Sequence, residues 1–161
     1  MPLLKRLKVH LILEPGRFIV GNAGIMVTQV LYVKQSRGKQ FAVVDAGMND
    51  LIRPALYDAY HQVAAVQEAG KQDGYGHYDV VGPVCESADV FARQRKLDKL
   101  GPGVELAIFG TGAYGSVMAS NYNGRVRPAE VLVRGNKWAI IRKRETLKDL
   151  IRQDVIPKDL F

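Results

Sequence analysis

Residues 24–34 (GIMVTQVLYVK) and 40–45 (QFAVVD) decide the fold class, because both are rich in β-branched and aromatic side chains. The segment between them, Ser36-Arg37-Gly38-Lys39, is typical of a tight turn, so together they predict a β-hairpin. Similar short runs follow at residues 79–85 (DVVGPVC), 104–109 (VELAIF), 130–133 (EVLV) and 138–141 (WAII). Many short strands separated by turn residues predict a mainly β protein, either a barrel or a sandwich.

Helical patterns are scarce along the chain. Residues 54–60 (PALYDAY) predict one short helix with proline at its first position. Thr146 and Asp149 have the spacing of a capping box and predict a C-terminal helix near residues 146–153. The apolar run at residues 9–13 (VHLIL) differs from the rest and predicts a strand of a preceding domain. Within residues 79–85, the internal Gly-Pro pair predicts a bulge or an edge position.

Composition excludes several classes of protein. The 161 residues carry 23 Lys and Arg against 16 Asp and Glu, which gives a net charge of +7. These charges are scattered and do not alternate with aromatic residues, so a basic surface is favoured over nucleic-acid binding. No apolar run approaches the roughly 20 residues that a membrane helix needs. The single cysteine, Cys85, excludes an internal disulfide and predicts a cytoplasmic location.

Residues 110–115 (GTGAYG) match the glycine pattern of dinucleotide-binding proteins, but their context does not. The following segment reaches Asn123-Gly124 too soon for the long helix that such a site requires. We therefore predict a glycine-rich turn whose backbone passes close to another chain or a phosphate. No metal site is expected, because no ligand spacing surrounds the three histidines, His10, His61 and His77. Taken alone, Cys85 is more typical of a buried small residue than of a catalyst.

Two segments are hard to explain by packing alone. Glu14-Pro15-Gly16-Arg17 can present backbone N–H groups and a guanidinium to an anion. Arg53 and Tyr57 lie four residues apart and so share one face of a helical turn. Each segment is also consistent with ordinary packing. In that alternative Arg53 only braces its turn against Asp50 or Asp58.

Five segments in this order resemble one enzyme family, the C-terminal part of the diaminopimelate decarboxylases. They are residues 13–24 (LEPGRFIVGNAG), 43–61 (VVDAGMNDLIRPALYDAYH), 78–91 (YDVVGPVCESADVF), 112–115 (GAYG) and 118–133 (MASNYNGRVRPAEVLV). The family uses pyridoxal 5'-phosphate and has the alanine-racemase/ornithine-decarboxylase fold type. The resemblance extends from about Leu11 to about Glu145.

This resemblance implies a Greek-key-like β-domain that follows a (β/α)8 barrel. Residues 1–21 then correspond to the last strand and exit of the barrel, and residues 22–161 to the β-domain with its C-terminal helix. The barrel lysine that holds the cofactor covalently has no counterpart in this sequence. We therefore expect the chain to be incomplete and inactive alone.

The resemblance also implies the site residues. Glu14, Gly16, Arg17 and Tyr114 are expected to bind pyridoxal phosphate. Substrate binding is expected from Arg17, Arg53, Tyr57, Glu86 and Tyr114. Within that group, Arg53 would pair the distal carboxylate of diaminopimelate and Glu86 its distal ammonium. Cys85 is implied as the proton donor, which reverses its interpretation as an inert residue.

The implied activity is the conversion of meso-2,6-diaminopimelate to L-lysine and CO2, a step of lysine biosynthesis. The pair Cys85-Glu86 is expected to reach the active site of a second subunit, which makes the enzyme a homodimer. Neither a nucleic-acid nor a membrane partner is expected. The alternative is a non-catalytic β-barrel remnant, or a binding module that uses the basic surface.

Overall fold

A six-stranded sheet forms the body of the protein. The computed structural model describes residues 4, 6, 9–67 and 74–157. The sheet has the order β3-β6-β1-β2-β4-β5, and its neighbours are antiparallel except for the parallel pair β2 and β4. Its strands are β1 (Ile25–Ser36), β2 (Lys39–Val44), β3 (Val63–Ala65), β4 (Tyr75–Val81), β5 (Val90–Asp98) and β6 (Glu105–Phe109).

The predicted hairpin is the centre of this sheet. Ser36 pairs with Lys39, and the two residues between them, Arg37 and Gly38, have φ angles of 48° and 75°. Positive φ at both central positions matches the right-handed twist of the flanking strands. The turn residues in the sequence therefore set the register of β1 against β2.

The sheet curls into a nearly closed barrel around one apolar core. Its two edge strands approach each other at a seam where the Arg95 guanidinium donates to the His61 carbonyl over 3.4 Å. Side chains from all six strands fill the interior, among them Val30, Val44, Val63, Val80, Phe91, Leu106 and Ile108. The predicted mainly β barrel is confirmed.

The strand predicted at residues 79–85 has different boundaries in the structure. β4 begins at Tyr75 and ends at Val81, so Gly82 and Pro83 follow the strand and form no bulge within it. A Cβ at Gly82 would lie 2.3 Å from Oδ2 of Asp89, so this position requires glycine because a carboxylate packs against its backbone.

The helices are short. Helix α1 spans Arg53–Tyr57, and helix α2 spans Leu147–Leu150, so the C-terminal helix is present but shorter than predicted. Its capping box is formed, since the Thr146 N–H donates to Oδ2 of Asp149 over 2.7 Å. Within the described residues, no helix has the length and apolar character needed to cross a membrane.

A second, two-stranded sheet follows the barrel. It consists of β7 (Glu130–Arg134) and β8 (Lys137–Arg142), as the sequence predicts. No side chain of either strand is fully buried. Residues 9–15 are in no strand, and part of residues 1–21 lies outside the described residues. The assignment of residues 1–21 to a preceding domain stays a prediction.

Candidate functional site

The glycine-rich turn after β6 packs against the chain's own backbone. A Cβ at Gly112 would lie 1.9 Å from the Val20 carbonyl oxygen, and one at Gly24 would lie 2.5 Å from the Gly112 Cα. Such contacts leave no room for any side chain at either glycine. The close approach that the sequence predicted is therefore made within this chain. A 3-10 turn of three residues, Ser116–Met118, follows in place of a dinucleotide-binding helix.

Tyr114 is the centre of the candidate site. Its φ of 61° is left-handed, a conformation that is uncommon for a bulky residue. Its ring lies 5.7 Å from the Arg17 guanidinium carbon and 5.5 Å from that of Arg53, measured to the ring centroid. Both distances fit cation–π contacts. The turn thus places one aromatic ring in contact with two arginines from distant parts of the sequence.

Two further predicted residues join this group. The Arg53 guanidinium also lies 5.6 Å from the centroid of the Tyr57 ring, as their four-residue spacing predicts. Gly16 is next to the tyrosine, since a Cβ there would lie 3.8 Å from the Tyr114 hydroxyl oxygen. The structure therefore brings together five predicted site residues: Gly16, Arg17, Arg53, Tyr57 and Tyr114.

An open cleft of about 450 Å³ lies beside these residues. Its walls include Arg17, Asn22, Arg53, Tyr60, His61 and Gly110. In the described part of the chain, neither arginine forms an ion pair with a carboxylate. Two guanidinium groups that share one cleft without such a partner make it attractive to anionic groups.

Among the described residues, Arg53 forms no ion pair with Asp50 or Asp58, the two carboxylates of its alternative role. Asp50 instead accepts hydrogen bonds from the Gly47 N–H over 2.9 Å and from the Asn49 amide over 2.9 Å. Its ion-pair partner is Arg125, at 3.9 Å. Burial raises the pKa of Asp50, although these hydrogen bonds and Arg125 oppose the shift. Asp50 thus braces its own loop and leaves Arg53 facing the cleft.

Cys85 and Glu86 lie on a different surface loop, after β4. Both side chains are exposed, so the buried cysteine expected from composition is wrong. The side-chain amide of Asn123 donates to the Cys85 Sγ over 3.8 Å. Within the described residues, no hydrogen bond or ion pair joins Cys85 or Glu86 to the Tyr114 group. Glu14 is likewise exposed and forms no such link.

Asp89 anchors the cysteine loop, and no motif in the sequence points to this role. Its buried carboxylate accepts the Val84 N–H over 2.8 Å and the Met48 N–H over 2.7 Å. Burial raises the pKa of Asp89 even though both hydrogen bonds favour the ionised form. One carboxylate therefore fixes the loop that carries Cys85 against the loop that precedes α1.

Arg125 joins that second loop to the segment after the glycine-rich turn. Its Nε donates to the Asn49 side-chain oxygen over 2.9 Å, and its Nη2 donates to the Asp45 carbonyl over 2.5 Å. These partners lie more than 70 positions away in the sequence, so no local pattern predicts them. The only sequence signal is the cluster of Asp and Asn residues at 45–50.

The family profile described as "Pyridoxal-dependent decarboxylase, C-terminal sheet domain" matches residues 17–112. The chain belongs to this family. It is 53% identical over 151 residues to a diaminopimelate decarboxylase of Archaeoglobus fulgidus, covering 92% of this chain and 35% of that protein. It is 47% identical over 145 residues to one of Zymomonas mobilis, covering 90% of this chain and 34% of that protein.

A solved structure of the decarboxylase family has the same fold as this chain. The diaminopimelate decarboxylase of Helicobacter pylori, complexed with L-lysine, superimposes with a TM-score of 0.84 at 46% identity. The match covers 94% of this chain and 36% of that one. These findings confirm the family and the fold that the sequence motifs indicated. The chain spans about a third of the length of the curated relatives that it matches.

Proposed function

We propose that this chain is the C-terminal portion of a diaminopimelate decarboxylase, which converts meso-2,6-diaminopimelate to L-lysine and CO2. The observation that carries the proposal is the pair of guanidiniums, those of Arg17 and Arg53, that both lie within cation–π distance of the Tyr114 ring. The substrate has an amino-acid group at each end, so one carboxylate remains at the end that does not react. A site for this substrate needs more than one cationic group, and the cleft has two.

The residues around the cleft fit the cofactor of the family. Glu14, Gly16, Arg17 and Tyr114 are the residues proposed to contact pyridoxal phosphate. Gly16 has a φ of 55° and lies beside the Tyr114 hydroxyl, where a side chain would narrow the approach. When bound, pyridoxal phosphate supplies the electron sink that makes loss of a carboxylate possible.

The chain's own residues bind and orient the substrate. Arg53 and Tyr57 would hold its distal end, where a guanidinium can grip a carboxylate with two parallel hydrogen bonds. Arg17 and Tyr114 would face the end that reacts. An amino-acid substrate with a single carboxylate has no carboxylate at its distal end to pair with Arg53. We therefore propose Arg53 as the residue that selects the dicarboxylic substrate.

Cys85 and Glu86 would act in a second copy of the enzyme. Both lie exposed on a loop separate from the Tyr114 group, which suits residues that cross to a neighbouring site. The Cys85 Sγ would hold the proton that replaces the lost carboxylate, and Glu86 would pair the distal ammonium. The proposal therefore includes a homodimer in the cytoplasm, with active sites shared between subunits.

The test is a chimera in which this chain replaces the matching part of the Archaeoglobus fulgidus relative. We expect the chimera to release CO2 from meso-diaminopimelate, and the chain alone with added pyridoxal phosphate to release none. Arg53→Ala should lower kcat/KM for diaminopimelate by roughly 30-fold or more, because loss of a buried charged partner costs about 2–5 kcal/mol. The weak activity on L-lysine should fall little.

Arg134→Ala, at the exposed end of β7, is the matched control. It should leave kcat/KM unchanged for both substrates. Equal losses on both substrates, with an earlier melting transition, would show that Arg53 is only structural. A folded chimera that releases no CO2 would instead support the non-catalytic remnant.

A further inference from the structure

His61 is a buried residue in the wall of the cleft, and its side chain forms one hydrogen bond within the part of the chain that the structure describes. It is 5% exposed, and its Nδ1 lies 2.8 Å from the Phe109 carbonyl oxygen. Because a carbonyl only accepts, Nδ1 carries the hydrogen and Nε2 does not in the neutral ring. Nε2 is buried without a partner in the described structure. The hydrogen bond of the ring thus ends on Phe109, the last residue of β6.

That link fixes the point where the glycine-rich turn begins. The Phe109 N–H donates to the Gln62 carbonyl over 2.9 Å, so both backbone groups of Phe109 are held by adjacent residues. Gly110 follows with a φ of 72°, and a Cβ there would lie 3.9 Å from the His61 Nδ1. The direction in which the chain leaves β6 toward Tyr114 is therefore set beside the His61 ring.

The backbone of His61 holds the other side of the cleft. Its carbonyl accepts from the Arg95 guanidinium, and that guanidinium stacks 4.2 Å from the centroid of the Tyr60 ring. His61 comes soon after helix α1, which carries Arg53. One residue thus joins the segment that carries Arg53 to the turn that carries Tyr114.

We propose that His61 is a positioning residue that holds the Arg53 guanidinium and the Tyr114 ring at their binding separation. The effect on substrate binding rests on the function proposed above, whereas the effect on the turn is a property of this chain alone. His61 itself is not assigned a contact with the substrate.

Two substitutions separate the hydrogen bond from the bulk of the ring. His61→Asn places an amide N–H near the position of Nδ1 and keeps the bond to Phe109, while His61→Gln places its amide near Nε2 and loses it. His61→Leu fills a similar volume without any donor. We therefore expect the Asn variant, and neither of the others, to preserve the site.

The first measurement uses the chain alone. In amide NMR spectra, the Gly110, Gly112 and Tyr114 signals should stay near their original positions in the Asn variant and move in the Gln and Leu variants. The second uses the chimera, where the Gln and Leu variants should raise KM for diaminopimelate by roughly 10- to 100-fold, the scale of an ångström-sized misplacement. The Asn variant should stay within about threefold of the parent KM, since it keeps the bond.

Unmoved turn signals in the Gln and Leu variants would overturn the proposal, as would equal KM changes in all three variants. If the Gln and Leu variants do not fold, the Asn variant decides by whether its KM stays near the parent's. An inactive parent chimera would remove the proposed function, and the NMR measurement on the chain would still decide the role of His61.

Discussion

At the scale of residues, the candidate site depends on a few positions with unusual backbone requirements. Gly24 and Gly112 allow two backbones to touch, and Tyr114 takes a left-handed conformation directly after them. Strain of this kind is kept where the surrounding structure holds it, often at functional sites. The motif at residues 110–115 thus has a physical role without any dinucleotide, namely to present one aromatic ring to two arginines.

The proton-donor role that we propose for Cys85 gives the first prediction at this scale. In the chimera, Cys85→Ala should lower kcat by about 10²- to 10⁴-fold, the usual contribution of a general acid, and change KM little. Removing a group that acts only in the transition state lowers kcat and leaves substrate binding unchanged. Steady-state kinetics on diaminopimelate measure both constants.

Ser87→Ala, on the same exposed loop, is the matched control and should keep the parent kcat. A Cys85→Ala enzyme whose kcat stays within a few-fold of the parent value would contradict the assignment.

At the scale of elements, the sequence predicts strands whose apolar residues alternate or run together, and misses those that do not. The sequence does not predict β5 (Val90–Asp98), because charged residues interrupt its apolar pattern and a bulge shifts its pairing register with β4. At that bulge Gln94 has a φ of 47°, and its N–H donates to Oδ1 of Asp79 over 2.6 Å. β3 has only three residues, too few for any period.

In the candidate site, too, the sequence predicts only contacts between residues that are close along the chain. Arg53 and Tyr57 are close in sequence, so their contact is predictable from helical spacing. Asp89, Arg125 and His61 act through partners far along the chain, and the sequence signals neither the partner nor the burial. Family motifs supplied the site residues, and only the structure supplied what holds them.

Charged side chains join the segment before β7 to the segment after β8 and so close the base of this hairpin, which gives a prediction for an element. Glu145 accepts hydrogen bonds from the backbone and guanidinium of Arg127 and from the Asn121 amide. These bonds, the Arg127 side chain first, lower the pKa of Glu145 to about 2 from 4.5. A lowered pKa stabilises the folded chain above pH 4.5, and this contribution is lost as the pH falls toward about 2.

Glu145→Gln should therefore lower the melting temperature at pH 7 by about 2–4 °C, for a loss of roughly 1 kcal/mol from a partly screened pair. The difference between wild type and variant should shrink as the pH falls from 4.5 toward 2. Glu105→Gln, at an exposed position on β6, serves as the control in the same melting series. A constant difference across that range would mean that ionisation of Glu145 does not stabilise the hairpin.

At the scale of the whole molecule, buried apolar side chains are unevenly distributed between the two sheets. The six-stranded barrel contains the buried apolar core, whereas β7 and β8 contribute no fully buried side chain. The exposed Cys85 loop is held by Asp89 against the loop that precedes α1, the helix that carries Arg53. We therefore expect the parts proposed to bind substrate to rest on the more stable of the two sheets.

Hydrogen exchange on the wild-type chain and on Leu106→Ala tests this division. Leu106 is fully buried on β6, between β1 and β3, and its loss should cost about 2–5 kcal/mol through the cavity left behind. Amides of β1 and β6, which exchange through global unfolding, should lose protection by that amount. Amides of β7 and β8 open locally and should already exchange fast, so their rates should not change.

Val133→Ala, at an exposed position on β7, is the control and should leave the exchange rates of the barrel amides unaffected. If protection in β7 and β8 instead falls in step with β1 and β6 in the Leu106 variant, the hairpin unfolds with the barrel as one cooperative unit.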